Sequence, residues 1–171
     1  MADNRVVIDA SAAIHGSLIQ EGFAGWPLDR FVAPTLLWSE VASGLNQLRW
    51  RGEISDDELT TALVRFTEAP IDTIPSRDLI AEATALAKSI GWAKTYDAEY
   101  VVLAQGLGVP LLTLDARLRR SIGHRVPVVS PADLDSAGAR GRDSFKSVLS
   151  ARPDGGTDED VNPARDMPRD A

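Results

Sequence analysis

A chain of 171 residues, 44% of them hydrophobic, is long enough for one domain with a real core and too short for two comfortable ones. It has no cysteine, so disulfides, thiolate zinc sites and cysteine nucleophiles are excluded. A net charge of −7, from 18 basic and 25 acidic residues, excludes a generally basic nucleic-acid coat, and any polyanionic partner must be met locally.

Taken in chain order, the pattern alternates strand and helix, which favours an α/β fold with a central, mostly parallel sheet flanked by helices. Arg5 to Ile8 is a short strand with β-branched residues, and Ser11 to Ile19 follows as a helix. Phe31 to Ala33 is the second strand; Pro34 suits a helix start, and Leu36 to Arg49 carries apolar residues at helical spacing until Gly52 stops it. Ser55 followed by Glu58 is a capping-box start for a helix through Glu68, ended by Pro70. Ile71 to Ile74 is a strand. Arg77 to Ile90 is a helix with Leu79, Ile80, Ala83, Leu86 and Ala87 on one face, closed by Gly91. Thr95 is expected to cap the next helix, which carries Asp97 to Gly106. Leu111 to Leu114 reads as a buried strand, Ala116 to Ile122 as a short helix and Val126 to Val129 as a last strand. The domain therefore spans 1–135. Residues 136–171 turn to Gly, Arg, Asp, Pro and Ser, and are expected to form a flexible, disordered tail because they bury too little to offset chain entropy. No apolar run is long enough to span a bilayer, and the start Met-Ala-Asp-Asn-Arg lacks a secretory signal, so a cytoplasmic location is expected.

Four carboxylates stand where a soluble domain would prefer something else. Asp9 ends the apolar run Val6-Val7-Ile8, and Asp115 ends Leu111-Leu112-Thr113-Leu114. Glu40 has Leu36, Leu37 and Gly44 as its helical neighbours, and Asp97 opens an apolar helix. Acids at the mouths of buried strands must be paired, protonated or bound to a cation, which makes a hard divalent metal the leading reading and phosphate chemistry its consequence. Singly, each has a plainer account: an N-cap for Asp9 and Asp115, a buried stem with a solvated head for Glu40, and the helix dipole for Asp97. Four such coincidences in one domain favour the directed role. In an open parallel sheet, strand C-terminal ends face the ligand crevice, so Asp9 and Asp115 converge if their strands are neighbours where strand order reverses. Arg49, Arg51, Arg117, Arg119 and Arg120 are candidate phosphate contacts. Trp38, Trp50, Trp92 and Tyr96 are candidate base-stacking residues, with core packing the better account of Trp38.

The segments Val6 to Ser11, Trp38 to Val41, Thr95 to Tyr100 and Leu112 to Leu118 resemble, in order and spacing, the four blocks of PIN-domain ribonucleases, and are most similar to the VapC-type toxins of toxin–antitoxin pairs. Two departures stand out. Ser43 occupies a position three residues after the helical Glu where relatives often carry Asn, and Arg117 occupies a position where some PIN proteins add a further acid. The resemblance implies a PIN-like domain with Mg²⁺- or Mn²⁺-dependent endoribonuclease activity. Asp9 and Asp97 would be the primary ligands, with Glu40 and Asp115 completing the pocket and helping to orient or deprotonate the attacking water. Ser11 and Thr113 are suitable supporting hydroxyls. The implied partners are a structured RNA, tRNA or ribosomal RNA, and a cognate antitoxin; a homodimer through the helices from Leu36 to Glu68 is also implied.

Competing classes fit less well. A phosphotransfer receiver domain wants paired acids near its N-terminus and a late Lys, whereas Asp9 is followed by Ala10 and no Lys lies between Lys94 and Lys146. A phosphatase with an aspartyl nucleophile expects Asp-x-Asp, and the chain has Asp9-Ala10-Ser11. The remaining alternative is an inactive PIN fold that serves as an RNA- or protein-binding module.

Overall fold

The apolar runs assemble into a five-stranded sheet, all of whose pairings are parallel, in the order β3-β2-β1-β4-β5. The computed structural model describes residues 5–26, 28 and 30–134. The tail expected at 136–171 lies outside the described residues. The strands are β1 (Arg5–Ile8), β2 (Arg30–Pro34), β3 (Ile71–Ile74), β4 (Leu111–Leu112) and β5 (Val128–Val129). The helices are α1 (Ala10–Leu18), α2 (Leu37–Trp50), α3 (Asp56–Thr67), α4 (Ile80–Ser89), α5 (Tyr96–Leu107) and α6 (Ala116–Ile122), with short 3-10 turns at Gly22–Gly25 and Ser76–Asp78.

Strands β1, β2 and β3 are laid down outward in one direction, after which the chain returns across the sheet to place β4 on the free side of β1. Helices α1, α2 and α3 pack on one another, as α4 does on α5. Right-handed crossovers place these two groups on opposite faces of the sheet. Sandwiched on both sides, the strands have no reason to alternate polar and apolar residues: Val6, Val7, Ile8, Leu111 and Leu112 are all fully buried. Phe23, Trp26 and Phe31 meet edge to face at ring separations of 5.7–5.8 Å. Close helix contact is bought with glycine at one point, where a Cβ on Gly44 of α2 would run into Ile14 Cδ1 of α1.

Four local expectations are corrected. Pro34 closes β2 instead of opening a helix, because it is in register with Ile74 and the ladder runs on through Thr35 N–H to Ile74 O at 2.9 Å. Thr95 makes no side-chain cap, since its backbone is already helical (φ −99, ψ −9) and contributes only its carbonyl to Glu99 N–H. Strand β4 stops at Leu112; Leu114 N–H leaves the ladder for Ser11 Oγ, and the Leu114 side chain is exposed. The helix expected from Arg77 begins only at Ile80, after the Ser76–Asp78 turn, with Ile80 exposed while Leu79, Ala83 and Ala87 are buried. The capping box at Ser55 is formed as expected, with Ser55 Oγ accepting from Glu58 N–H and the Glu58 carboxylate accepting from Ser55 N–H.

Candidate active site at the switch point of the sheet

Strand order reverses between β1 and β4, so the crevice of this sheet opens at their C-terminal ends. Ile8 is in register with Leu112, which sets Asp9 beside Thr113 across the two strands. Asp9 is 5% exposed and caps α1, its Oδ1 accepting from Ala12 N–H at 2.9 Å and from the Ser11 hydroxyl at 2.7 Å. The Thr113 hydroxyl donates to Asp9 Oδ2. Ser11 Oγ accepts in turn from Leu114 N–H and Thr113 Oγ1 from Asp115 N–H, both at 2.9 Å. Two hydroxyls thus lock the β4 end to the Asp9 carboxylate. Burial raises the Asp9 pKa, against the lowering effect of the Thr113, Ala12 and Ser11 hydrogen bonds, and the charge of Asp115 raises it further.

Glu40 lies in the first turn of α2, half-buried, and its Oε2 accepts from the Tyr100 hydroxyl of α5 at 2.6 Å. Desolvation raises its pKa; the Tyr100 hydrogen bond opposes the shift, while the charges of Asp97, Asp9 and Glu99 add to it. Tyr100 itself is buried, and burial together with the Glu40 charge pushes its phenol well above the ordinary tyrosine range, so it stays a donor at any physiological pH. Asp97, in the first turn of α5, is also raised by desolvation and then by Asp115, an effect that Arg117 and Lys94 partly cancel. Asp115 caps α6 through Arg117 N–H at 2.7 Å and Leu118 N–H at 3.0 Å.

All four predicted acids therefore stand at one edge of the sheet and feel one another's charge: Asp9 with Asp115, Asp115 with Asp97, and Glu40 with both Asp97 and Asp9. For Asp9 and Asp115 the cap coexists with a place in this cluster. The acids are electrostatic neighbours more than a closed cage. Among the described residues, no group of three or more acidic, histidine or cysteine side chains forms a ready-made metal cluster. The predicted arginines divide. Arg49 and Arg51 are ion-paired to Asp56 and Glu53, at the opposite end of α2 from Glu40 and about 14 Å along a helix rising 1.5 Å per residue, whereas Arg117 adjoins the acids. Of the aromatic candidates, Trp38 packs on Phe66, Trp92 is half-buried against the core, and Trp50 and Tyr96 are exposed.

Two residues of this region escaped the sequence reading. Tyr100 lies one helical turn after Asp97 on the same face of α5, a spacing that points it at the same crevice. Glu99 is 5% exposed and its Oε2 has no hydrogen-bond partner among the described residues. Its signal was a lone charge inside the otherwise nonionic run Ala98 to Ala104.

No family model matches the chain. The ribonuclease VapC12 of Mycobacterium tuberculosis is 33% identical to it over 130 residues, covering 72% of this chain and 96% of VapC12. The chain belongs to the VapC ribonuclease family. Ribonuclease VapC1 of the same organism is 32% identical over 130 residues, covering 72% of this chain and 90% of its own length, and ribonuclease VapC9 is 32% identical over 115 residues, covering 66% and 87%. The crystal structure of PAE2754 from Pyrobaculum aerophilum superposes with a TM-score of 0.58 at 21% identity, over 80% of this chain and 99% of that one, and so shares the fold. The PIN-type, VapC-like assignment made from the four acidic blocks is borne out, as is the parallel α/β sheet.

Proposed function

We propose that this VapC-family chain is a Mg²⁺- or Mn²⁺-dependent endoribonuclease, the toxin of a toxin–antitoxin pair, with Asp9, Glu40, Asp97 and Asp115 as its acidic site. The observation that carries the reading is the convergence of carboxylates from four separate segments at the switch point, three of them with pKa values raised first by desolvation. Such a set is held against its own preference for protonation or a cation. The RNA-cleaving activity itself is supported by relatives at 32–33% identity that are named ribonucleases.

The donors fit a hard divalent cation. They are all oxygens, the buried Glu99 Oε2 lacks a hydrogen-bond partner among the described residues, and the loose spacing suits an ion that binds through one or two carboxylates and retains its waters. Asp9 and Asp97 would hold it, with Glu40 and Asp115 closing the pocket directly or through water. When bound, the cation supplies Lewis-acid polarisation of the phosphoryl group and lowers the pKa of water. The chain's own groups do the rest. Ser11, Thr113 and the Ala12 amide fix the Asp9 carboxylate in one orientation. The Tyr100 hydroxyl occupies Glu40 Oε2, which leaves Oε1 to take a proton from the attacking water. A raised pKa suits Glu40 to that task, since a base works best with a pKa near the working pH.

A structured tRNA or ribosomal RNA as substrate, an antitoxin covering the acidic pocket, a cytoplasmic site of action and a homodimer belong to the same reading. Trp50 and Val64, exposed on α2 and α3, are the apolar residues such a dimer would cover. Among the described residues no helix is long and apolar enough to cross a membrane. The test is to sequence RNA 5′ ends from cells after brief induction, with Asp97→Asn as control. A few sharp cut sites present only with the wild-type chain support the enzyme; identical profiles leave an RNA- or protein-binding module instead.

A further inference from the structure

Among the described residues, Arg117 and Lys94 are set apart from the other cations by their effect on Asp97. Both are exposed, neither lies in an ion pair among the described residues, and the charge of each is felt at the Asp97 carboxyl. The backbone of Arg117 is held in place by its N–H bond to Asp115 Oδ1 at 2.7 Å, so the start of its side chain is anchored at the edge of the acidic crevice. Between Lys94 and Asp97 stands Tyr96, a 56% exposed aromatic residue on the first turn of α5. Tyr96 also lines an open groove of about 510 Å³ that runs along α2 from Glu40 past Ser39, Ser43 and Gly44 to Gln47, with Ala10 and Leu36 as apolar lining. That volume falls in the range of about 300–1,000 Å³ typical of small-ligand sites, and leaves room for a nucleoside.

We propose that this edge grips the RNA: Tyr96 stacks on a base next to the scissile phosphate, seated in the α2 groove, while Lys94 and Arg117 contact adjoining backbone phosphates. The proposal rests on the ribonuclease reading and adds to it the residues that hold the strand. The chemistry favours a nucleotide strand as occupant. A chain with net charge −7 repels a polyanion overall, so local unpaired cations must supply the attraction. An exposed aromatic flanked by such cations is the usual platform for single-stranded bases. Two hydroxyls and an amide, on Ser39, Ser43 and Gln47, offer donors and acceptors to a base edge. The groove is continuous with the acids through Glu40, so a base bound there lies beside the reacting phosphate.

The probe is a fluorescein-labelled 12-nucleotide RNA of mixed sequence, titrated by anisotropy against the full chain in EDTA, with steady-state cleavage in Mg²⁺ measured in parallel. Tyr96→Ala is expected to weaken binding about 10-fold or more, and Tyr96→Phe, which keeps the ring, to stay within about 2-fold of wild type. Lys94→Ala and Arg117→Ala should each weaken binding and reduce the slope of log affinity against log salt by about one. Arg49→Ala and Arg51→Ala should leave that slope unchanged. In cleavage, the Tyr96→Ala defect should fall on KM more than on kcat. Equal affinity of Tyr96→Ala and Tyr96→Phe, in protein that melts like wild type, overturns the stacking role. An unchanged salt slope for both Lys94→Ala and Arg117→Ala overturns the phosphate contacts. Loss of affinity for a purified antitoxin with RNA binding intact reassigns the groove to protein and overturns the proposal. Wild-type protein that neither binds this RNA nor cuts total cellular RNA in Mg²⁺ defeats the ribonuclease reading as well, an outcome distinct from the other three.

Discussion

The α2–α3 hairpin and the crevice at the β1/β4 switch point are both rich in carboxylates, and they treat them in opposite ways. In the hairpin, Asp56 is hydrogen-bonded to Arg49, which lowers its pKa, and Glu58 is lowered by its bonds to Ser55. Partner and acid are at most seven residues apart. In the crevice, Asp9, Glu40 and Asp97 are all raised, each first by desolvation, and the acids that repel them lie up to 106 residues away in sequence. Charges in the hairpin stabilise the helix ends that carry them. Those of Asp9, Glu40 and Asp97 are opposed by burial, and the sheet and its helices hold them in place against that cost, the pattern expected of the acidic site proposed above.

The largest effect that would break this contrast is on cleavage. Asp97→Asn should lower metal-dependent RNA cleavage by about 100-fold or more, beyond the 10- to 100-fold typical of losing a supporting hydrogen bond to a metal ligand. Asp57→Asn, on the exposed first turn of α3, should leave it unchanged; equal losses from the two changes, scored on purified protein, would erase the distinction between the regions.

A second effect is on stability as a function of pH. An acid whose folded pKa is raised binds more protons folded than unfolded, so its contribution is lost as pH climbs from the ordinary carboxylate range, about 4, through the raised folded value. The hairpin acids, lowered in the fold, behave inversely: their contribution is present above about 4 and is lost as pH falls through their depressed values. Metal-free protein should therefore melt at progressively lower temperature as pH rises from about 4 through the raised folded values, and Asp97→Asn should melt a few degrees higher than wild type once these acids are ionised. Mg²⁺ should raise the wild-type melting temperature and move the variant less. A variant that melts below wild type without metal would show that Asp97 stabilises the helix dipole more than it suffers from its neighbours.

Smaller effects sharpen the comparison. Tyr100→Phe removes the donor to Glu40 Oε2 and should cost about 10-fold in kcat with the fold intact by circular dichroism. Ser55→Ala removes the cap of α3 and should cost about 1 kcal/mol in urea denaturation, with cleavage per folded molecule unaltered.

Local signals were enough for the helix at Ser55, for the strand before Asp9 and for the four acids as candidates, because caps, β-branched runs and misplaced charges are decided within a few residues. They were misleading at Pro34, whose register with Ile74 outweighed its suitability for a helix start, and at Leu114, whose amide found Ser11 instead of a strand partner. The chain by itself determined which side chains end the strands and that those side chains are acidic. Only the tertiary structure decided that β4 lies against β1, that Thr113 and Ser11 clamp Asp9, that Tyr100 meets Glu40, and that Arg49 is ion-paired to Asp56 while Arg117 adjoins the acids. Strand neighbours are chosen by the burial of whole faces between segments about a hundred residues apart, a balance that no short window of sequence contains.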